Sequence, residues 1–316
     1  MQELRFNPMT GEWVMISSGR KGRPIHSEFK GCPLCPGNIE LEQDYDLAVF
    51  ENRFPALVKK PSPTLNSGSP LLKSKPSNGV CEVIMYTSVH NSSLAKMPLL
   101  QIENLIDVWE DRIIDLYSHP MIKYIFIFEN KGEEVGATLS HPHGQLYAFP
   151  FLPLRVKTKL KNMKDYISKN HRCLLCDLIK EEVRLDKRIV FQNNFFIALV
   201  PYYARFPYEV HVLSKRHLGS IIEMNELEKK SFAEILQSVT RKYDKIFQRS
   251  CPYMMALFIS PSEQDKYSYF HFHVEFCPPL RDKNKIKWMA SVETATWQFI
   301  NPSSPEEIAN RLRSIS

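Results

Sequence analysis

The order of cysteines and histidines restricts this chain more than any other feature of its sequence. Cys32-x-x-Cys35, a lone His90 and His141-Pro-His143-x-Gln145 follow one another in the first half, and Cys173-x-x-Cys176, His217 and His271-Phe-His273-x-Glu275 repeat that order in the second. The steps from the last cysteine to the lone histidine and on to the paired histidines are 55 and 51 residues, then 41 and 54. Such recurrence indicates one half-fold used twice. Residues 1–153 are expected to form the first half and 154–316 the second.

Two cysteines at C-x-x-C spacing can place both sulfurs on one tetrahedral ion, and two imidazoles complete a Cys2His2 set. The predicted ligands are Cys32, Cys35, His90 and His141 for a first zinc, and Cys173, Cys176, His217 and His271 for a second. His26 and His119 rival the first set by position, but neither has a counterpart in the second half. Four protein ligands leave no open coordination position, so both zincs are expected to be structural. Seven cysteines, four of them in these short pairs, suit reduced thiols better than a disulfide scaffold. The segment MQELRFNPMTGEW lacks the pattern of a secretory signal, no apolar run is long enough for a membrane span, and a cytoplasmic location is expected. A net charge of +6 favours acidic partners, phosphorylated metabolites as much as nucleic acid. The lysines of 157–164 alternate with Leu160 and Met163 at helical spacing and read as a solvated helix face.

Apolar periodicity predicts helices over Pro98–Ser118 and from Asn225, an N-cap with Glu228 three residues on, to about Gln248, with Leu227 in the apolar stripe of the second. Strands are predicted at Cys81–Thr87, Ile122–Phe128, His141–Phe149, Ile189–Gln192, Phe195–Val200, Glu209–Leu213, Tyr253–Ile259 and Tyr269–Phe276. The Pro-, Ser- and Lys-rich stretch 59–79 is expected to be a surface loop. Within His141–Phe149, the side chains of His141, His143, Gln145 and Tyr147 share one face. Zinc fixes one histidine and leaves His143 facing an open groove, where a neutral imidazole can attack an α-phosphorus and split one transfer into two easier steps. Gln145 can hydrogen-bond a phosphoryl oxygen, the loop Gly132–Gly136 can bring backbone N–H groups to phosphates, and Arg20, Lys21 and Arg23 form a basic cluster.

These motifs resemble the galactose-1-phosphate uridylyltransferase family of the histidine triad superfamily. The resemblance runs almost end to end, through FNPMTGEWVMISSGRKGRP, CPLCPGN, FENRFPAL, FENKGEEVGATLSHPHGQLYAFPFLP, VPYYARFPYEVHVLSKRH, VTRKYDKIFQ and FHFHVEFCPPL. It implies an α+β fold of two histidine-triad-like halves whose antiparallel sheets join edge to edge into a half-barrel with flanking helices. It also implies that His143 takes a uridylyl group from UDP-glucose and passes it to galactose 1-phosphate, with only the first half catalytic. Gln145 would contact the phosphoryl group, Asn130 and Thr138 would bind phosphate or nucleotide, Arg20 and Arg23 would hold phosphates, and Asn52 would lie near the uridine. A homodimer is implied, whose site a neighbour's Lys287, Trp288 and Glu293 complete.

The chain departs from the family pattern in places. Arg53 stands where many members carry an acidic residue beside the ribose, and Ala137 stands where a cysteine is common. Phe258 replaces one histidine of an iron site found in some bacterial members, while Cys173 and Cys176 resemble the zinc version of plant relatives. Those relatives include ADP-glucose phosphorylases, which use the same histidine chemistry on an adenosine nucleotide and form the alternative reading. A zinc-stabilised nucleic-acid-binding protein is a third, but it assigns no purpose to His143 beside Gln145.

Overall fold

The computed structural model describes residues 2–22, 31–38, 40–64 and 68–315. The first half supplies β1 (Gln2–Asn7), β2 (Glu12–Ser17), β3 (Ala48–Glu51), β4 (Ser74–Pro76), β5 (Val80–Met85), α1 (Leu99–Tyr117), β6 (Tyr124–Lys131) and β7 (His143–Phe149). The second supplies α2 (Leu154–Asn170), α3 (Leu174–Leu185), β8 (Ile189–Gln192), β9 (Phe196–Leu199), β10 (Val210–Ser214), α4 (Glu226–Phe247), β11 (Tyr253–Phe258), β12 (His273–Cys277), β13 (Leu280–Asp282), β14 (Lys285–Ile286), α5 (Ser291–Thr296) and α6 (Pro305–Arg313).

The architecture is α+β. Nine strands form one continuous sheet in the order β3-β5-β7-β6-β11-β12-β10-β9-β8, and every neighbouring pair is antiparallel. Read outward from the seam between β6 and β11, the two sides have the same topology, with β8 added at one edge. In each half the long helix joins the third strand from the seam to the first, α1 running between β5 and β6 and α4 between β10 and β11. Antiparallel pairing across the seam, Met255 opposite Glu129 and Leu257 opposite Ile127, relates the halves by an approximate two-fold.

The two faces of the sheet do different work. On one, Leu146 and Ala148 of β7 and Val274 and Phe276 of β12 pack with Trp109 of α1 and with Phe232, Leu236 and Tyr243 of α4. The two helices are also tied by Lys229 Nζ, which donates to Asp107 at 2.8 Å and Glu110 at 2.7 Å. The predicted N-cap holds α4 in place: the Asn225 side chain accepts from Glu228 N at 3.0 Å while the Glu228 carboxylate accepts from Asn225 N at 3.0 Å. On the opposite face Tyr147 and Phe149 pack with Val156, Leu160 and Met163 of α2, with α3, and with Leu4 of β1. Strand alternation puts His143 and Gln145 on this second face.

The structure corrects several expectations. The strand begins at His143 rather than His141, because the chain turns at Pro142 into the first Cys/His cluster, and β12 likewise begins at His273. The stretch 59–79 is not all loop: Ser74–Pro76 forms an edge strand on β1, too short and polar for alternation to reveal it. Leu227 is 65% exposed, because it falls on the outer side of the first turn of α4, whose Glu228 and Lys229 are buried.

Candidate active site

Cys32 Sγ lies 3.8 Å from His141 Nδ1, and Cys35 Sγ lies 3.6 Å from His141 Nδ1 and 3.5 Å from His90 Nδ1. In the second half Cys173 and Cys176 lie 3.4 and 3.5 Å from His271 Nδ1, with Cys176 3.8 Å from His217 Nδ1. A tetrahedral zinc with ordinary Zn–S and Zn–N bonds requires sulfur–nitrogen edges of about 3.6 Å. Both clusters therefore have the dimensions of a Cys2His2 metal site, and in each the four donor atoms lie within 4.8 Å of one another. The outer ring nitrogens are oriented to match. His141 Nε2 donates to Thr87 O at 2.8 Å, His217 Nε2 to Ser268 O at 2.8 Å and His271 Nε2 to Ser214 O at 2.9 Å, which leaves each Nδ1 lone pair for a metal. Burial opposes ionisation of both thiols of the second cluster. Hydrogen bonds from His217 and His271 nevertheless pull Cys173 down to about 5, while burial and then the charge of Cys173 push Cys176 up to about 12. A divalent cation bound there would release the protons that the donors hold without it.

The first cluster orients His143. His143 Nδ1–H donates to the carbonyl of His141 at 2.7 Å. That bond fixes the tautomer in which Nε2 carries the lone pair. The residue after it must be glycine, since any side chain at Gly144 would collide with the Tyr86 hydroxyl. His143 and Gln145 line a cleft of about 640 Å³ together with Pro33, Leu34, Phe50, Asn52, Phe54, Val83 and Thr138. Pro33 and Leu34 are the residues between the two cysteines, so the metal knuckle is itself a wall of the cleft. Asn52 Nδ2 donates to Gln145 Oε1 at 3.4 Å, which turns the NH2 of Gln145 outward as a donor.

A smaller cavity of about 300 Å³ adjoins the other side of His143 and is lined by Asn130, Lys131, Gly132 and Ser140. Gly132 takes a φ of 98° and packs so closely on Pro252 that a side chain there would clash. Glu129 also lines this cavity, is buried and accepts from the Tyr253 hydroxyl at 3.2 Å; burial pushes its carboxyl up to about 7. Its pKa is raised on folding, so its contribution to stability is full below about pH 4.5 and is lost as pH rises through 7, by about 3 kcal/mol. Glu129→Gln is expected to remove that slope. Urea unfolding at pH 5 and pH 8 should show the variant gaining on the wild-type protein at the higher pH.

The second H-x-H keeps the backbone device but is capped. His273 Nδ1 donates to His271 O at 2.9 Å, as His143 does to His141. Its Nε2, however, meets the Lys159 ammonium at 2.6 Å, and that ammonium also donates to Glu275 at 2.7 Å and lies 3.3 Å from the centre of the Phe258 ring. Phe258 stacks on the His273 ring at 4.9 Å. Burial and then the charge of Lys159 hold His273 well below the usual histidine range, whereas Glu275, despite burial, is held well below the carboxylate range by Lys159, His211, Arg155 and Arg205. The lone pair that would attack phosphorus is engaged. Lys159 corrects the reading of 157–164 as a solvated face. With Val156, Leu160 and Met163 it completes an i, i+3, i+4, i+7 set, and that spacing was the signal available to find it.

The sequence-predicted residues fall into three groups. His143, Gln145, Asn52, Thr138 and Asn130 converge on the two adjoining cavities. Arg20 approaches the same face, donating to Phe54 O at 3.0 Å and Tyr147 Oη at 3.2 Å, while Arg23 lies outside the described residues, as does His26. Lys287, Trp288 and Glu293 line neither cavity. Lys287 and Glu293 form a buried ion pair at 2.8 Å, and Trp288 is 70% exposed. His119 joins no Cys/His cluster among the described residues.

A family model described as the N-terminal domain of galactose-1-phosphate uridyl transferase matches residues 1–153, and one described as its C-terminal domain matches residues 159–315. The chain belongs to the galactose-1-phosphate uridylyltransferase family. A galactose-1-phosphate uridylyltransferase of Thermotoga maritima is 51% identical over 314 residues, 99% of this chain and 98% of the relative. A solved uridylyltransferase structure superposes with a TM-score of 0.88 at 31% identity, covering 99% of this chain and 97% of the other. An ADP-glucose phosphorylase from Arabidopsis thaliana with bound ADP-glucose gives a TM-score of 0.76 at 25% identity, covering 100% of both chains. The galactose-1-phosphate uridylyltransferase family is thus spanned from β1 to α6, and no helix among the described residues is long and apolar enough to cross a membrane.

Proposed function

We infer that this enzyme is a UDP-glucose:galactose-1-phosphate uridylyltransferase working through a uridylylated His143. The observation that carries the mechanism is the hydrogen bond from His143 Nδ1 to the carbonyl of His141, since it leaves Nε2 as the nucleophile in the cleft. In the first step Nε2 attacks the α-phosphorus of UDP-glucose, a P–N bond forms, and the bond to glucose 1-phosphate breaks. In the second a phosphate oxygen of galactose 1-phosphate attacks the same phosphorus and the P–N bond breaks, giving UDP-galactose. Gln145, turned by Asn52, donates to the phosphoryl oxygen on which charge develops. Asn130, Thr138 and Arg20, with Arg23, are the phosphate and nucleotide contacts.

Zinc is the metal we assign to both clusters, because a closed set of two thiolates and two imidazoles favours it. It supplies no chemistry to the transfer. Cys32, Cys35, His90 and His141 would hold the first ion and with it the cleft wall; Cys173, Cys176, His217 and His271 would hold the second. A homodimer is also part of this reading. Its support is the run of exposed apolar side chains Trp288, Met289, Val292, Trp297 and Ile300 around the Lys287–Glu293 pair, which suits a neighbouring copy.

Initial-rate kinetics test the proposal: parallel double-reciprocal lines with UDP-glucose and galactose 1-phosphate are expected, and intersecting lines would contradict a covalent intermediate. A second prediction concerns the capped half. Glu275→Gln strips the counter-charge from Lys159, Arg155 and Arg205 and should cost about 3 kcal/mol in urea unfolding. The transfer rate of the folded variant should be unchanged, since His273 carries no nucleotide.

A further inference from the structure

We propose that Glu40 accepts the ribose hydroxyls of the bound nucleotide and that Arg53 aims its carboxylate. The inference rests on the nucleotidyl-transfer reading of the cleft. Among the described residues lining that cleft, Glu40 is the one acid. A carboxylate repels phosphate, so it does not belong to the phosphate end marked by His143 and Gln145. The apolar walls from Leu34, Phe50, Phe54 and Val83 suit a base, which stacks without needing charge. Between base and α-phosphate every nucleotide carries a sugar whose hydroxyls donate hydrogen bonds, and an ionised carboxylate is the strongest side-chain acceptor for them. Acidic residues read ribose hydroxyls in this way in dinucleotide-binding folds.

The placement of Glu40 is built rather than incidental. Its N–H donates to Pro33 O at 3.2 Å, inside the metal knuckle, and Gly37 N donates to Leu41 O at 2.8 Å to close the turn that carries it. Arg53 Nη1 donates to Oε1 at 3.3 Å, and the Glu40 side chain is 20% exposed against 56% for Arg53. The acid is therefore the more buried member of the pair and the arginine, which also lines the cleft, its brace; among the described residues the second carboxylate oxygen has no hydrogen bond, so it can accept from a ligand. The first metal cluster thus positions both His143 and the sugar-reading acid.

The test is calorimetric binding of UMP and 2′,3′-dideoxy-UMP to the full chain and to Glu40→Ala, Glu40→Gln and Arg53→Met. Wild-type protein is expected to favour UMP by about tenfold or more. Glu40→Ala should lose that preference while binding the dideoxy nucleotide as before, and Glu40→Gln, which keeps the shape and one acceptor, should fall between. Arg53→Met retains the carboxylate but loses its brace, so its preference should be smaller than that of wild-type protein and larger than that of Glu40→Ala; an undiminished preference would refute the role of Arg53. An unchanged ratio in Glu40→Ala, or equal weakening of both ligands, would overturn the proposal. Mass measurement of the His143 adduct from UDP-glucose on the same preparations separates the two levels: labelling with an unchanged ratio refutes the role of Glu40 alone, and no labelling of wild-type protein removes the parent reading and this one with it.

Discussion

Replacing His143 by alanine should abolish uridylyl transfer, lowering kcat by about 10⁴-fold or more, with no adduct formed from UDP-glucose and no change in unfolding midpoint. The size of the effect follows from geometry. Gln145, Asn52 and Thr138 would still bind and orient the phosphate, but among the described residues the equivalent His273 cannot substitute, because its Nε2 lies against the Lys159 ammonium at 2.6 Å. His143→Gly should regain part of the second half-reaction when a soluble uridine phosphoimidazolide replaces the missing intermediate. Substantial transfer by the alanine variant would end the covalent mechanism.

The second large effect is expected from the metal clusters, and the two should differ. Cys35→Ser, at the first, should lower the melting temperature by about 10 °C, as loss of a closed metal site removes several kcal/mol of folding free energy. It should also cut the transfer rate of the surviving folded protein by about 10- to 100-fold, because Pro33, Leu34 and His141 all hang from that site and a shift of an ångström misplaces the nucleophile. Cys173→Ser, at the second, should cost comparable stability with little loss of rate. Metal content by plasma mass spectrometry should fall by one ion per chain in each variant. Equal kinetic effects at the two sites would refute the division of labour.

The candidate site was legible because its chemistry is local in sequence. His143 and Gln145 show through strand alternation, and the paired cysteines announce a tetrahedral site at a fixed spacing. What escaped depends on approach between distant elements. Nothing in the lysines of α2 says that Lys159, rather than Lys161 or Lys164, reaches across to β12, and only the i, i+3 relation to Val156 hints at burial. The seam between β6 and β11 is equally hidden, since alternation tells which face a strand buries but not which edge it pairs. The edge strand Ser74–Pro76 has no apolar residue to betray it. Glu40 lies in a turn whose sequence is ordinary, and its meaning appears only once the metal knuckle and Arg53 are seen to hold it in the cleft.

The central claim is that His143 carries the nucleotide and that the nucleotide is uridylate. Intact-protein mass spectrometry after incubation with UDP-glucose, and separately with ADP-glucose, followed by peptide mapping, tests it most directly. The account predicts one acid-labile UMP adduct per chain on His143 from UDP-glucose. An AMP adduct from ADP-glucose alone would make the enzyme an adenylyltransferase of the same chemistry, and no adduct from either donor would contradict the covalent mechanism itself.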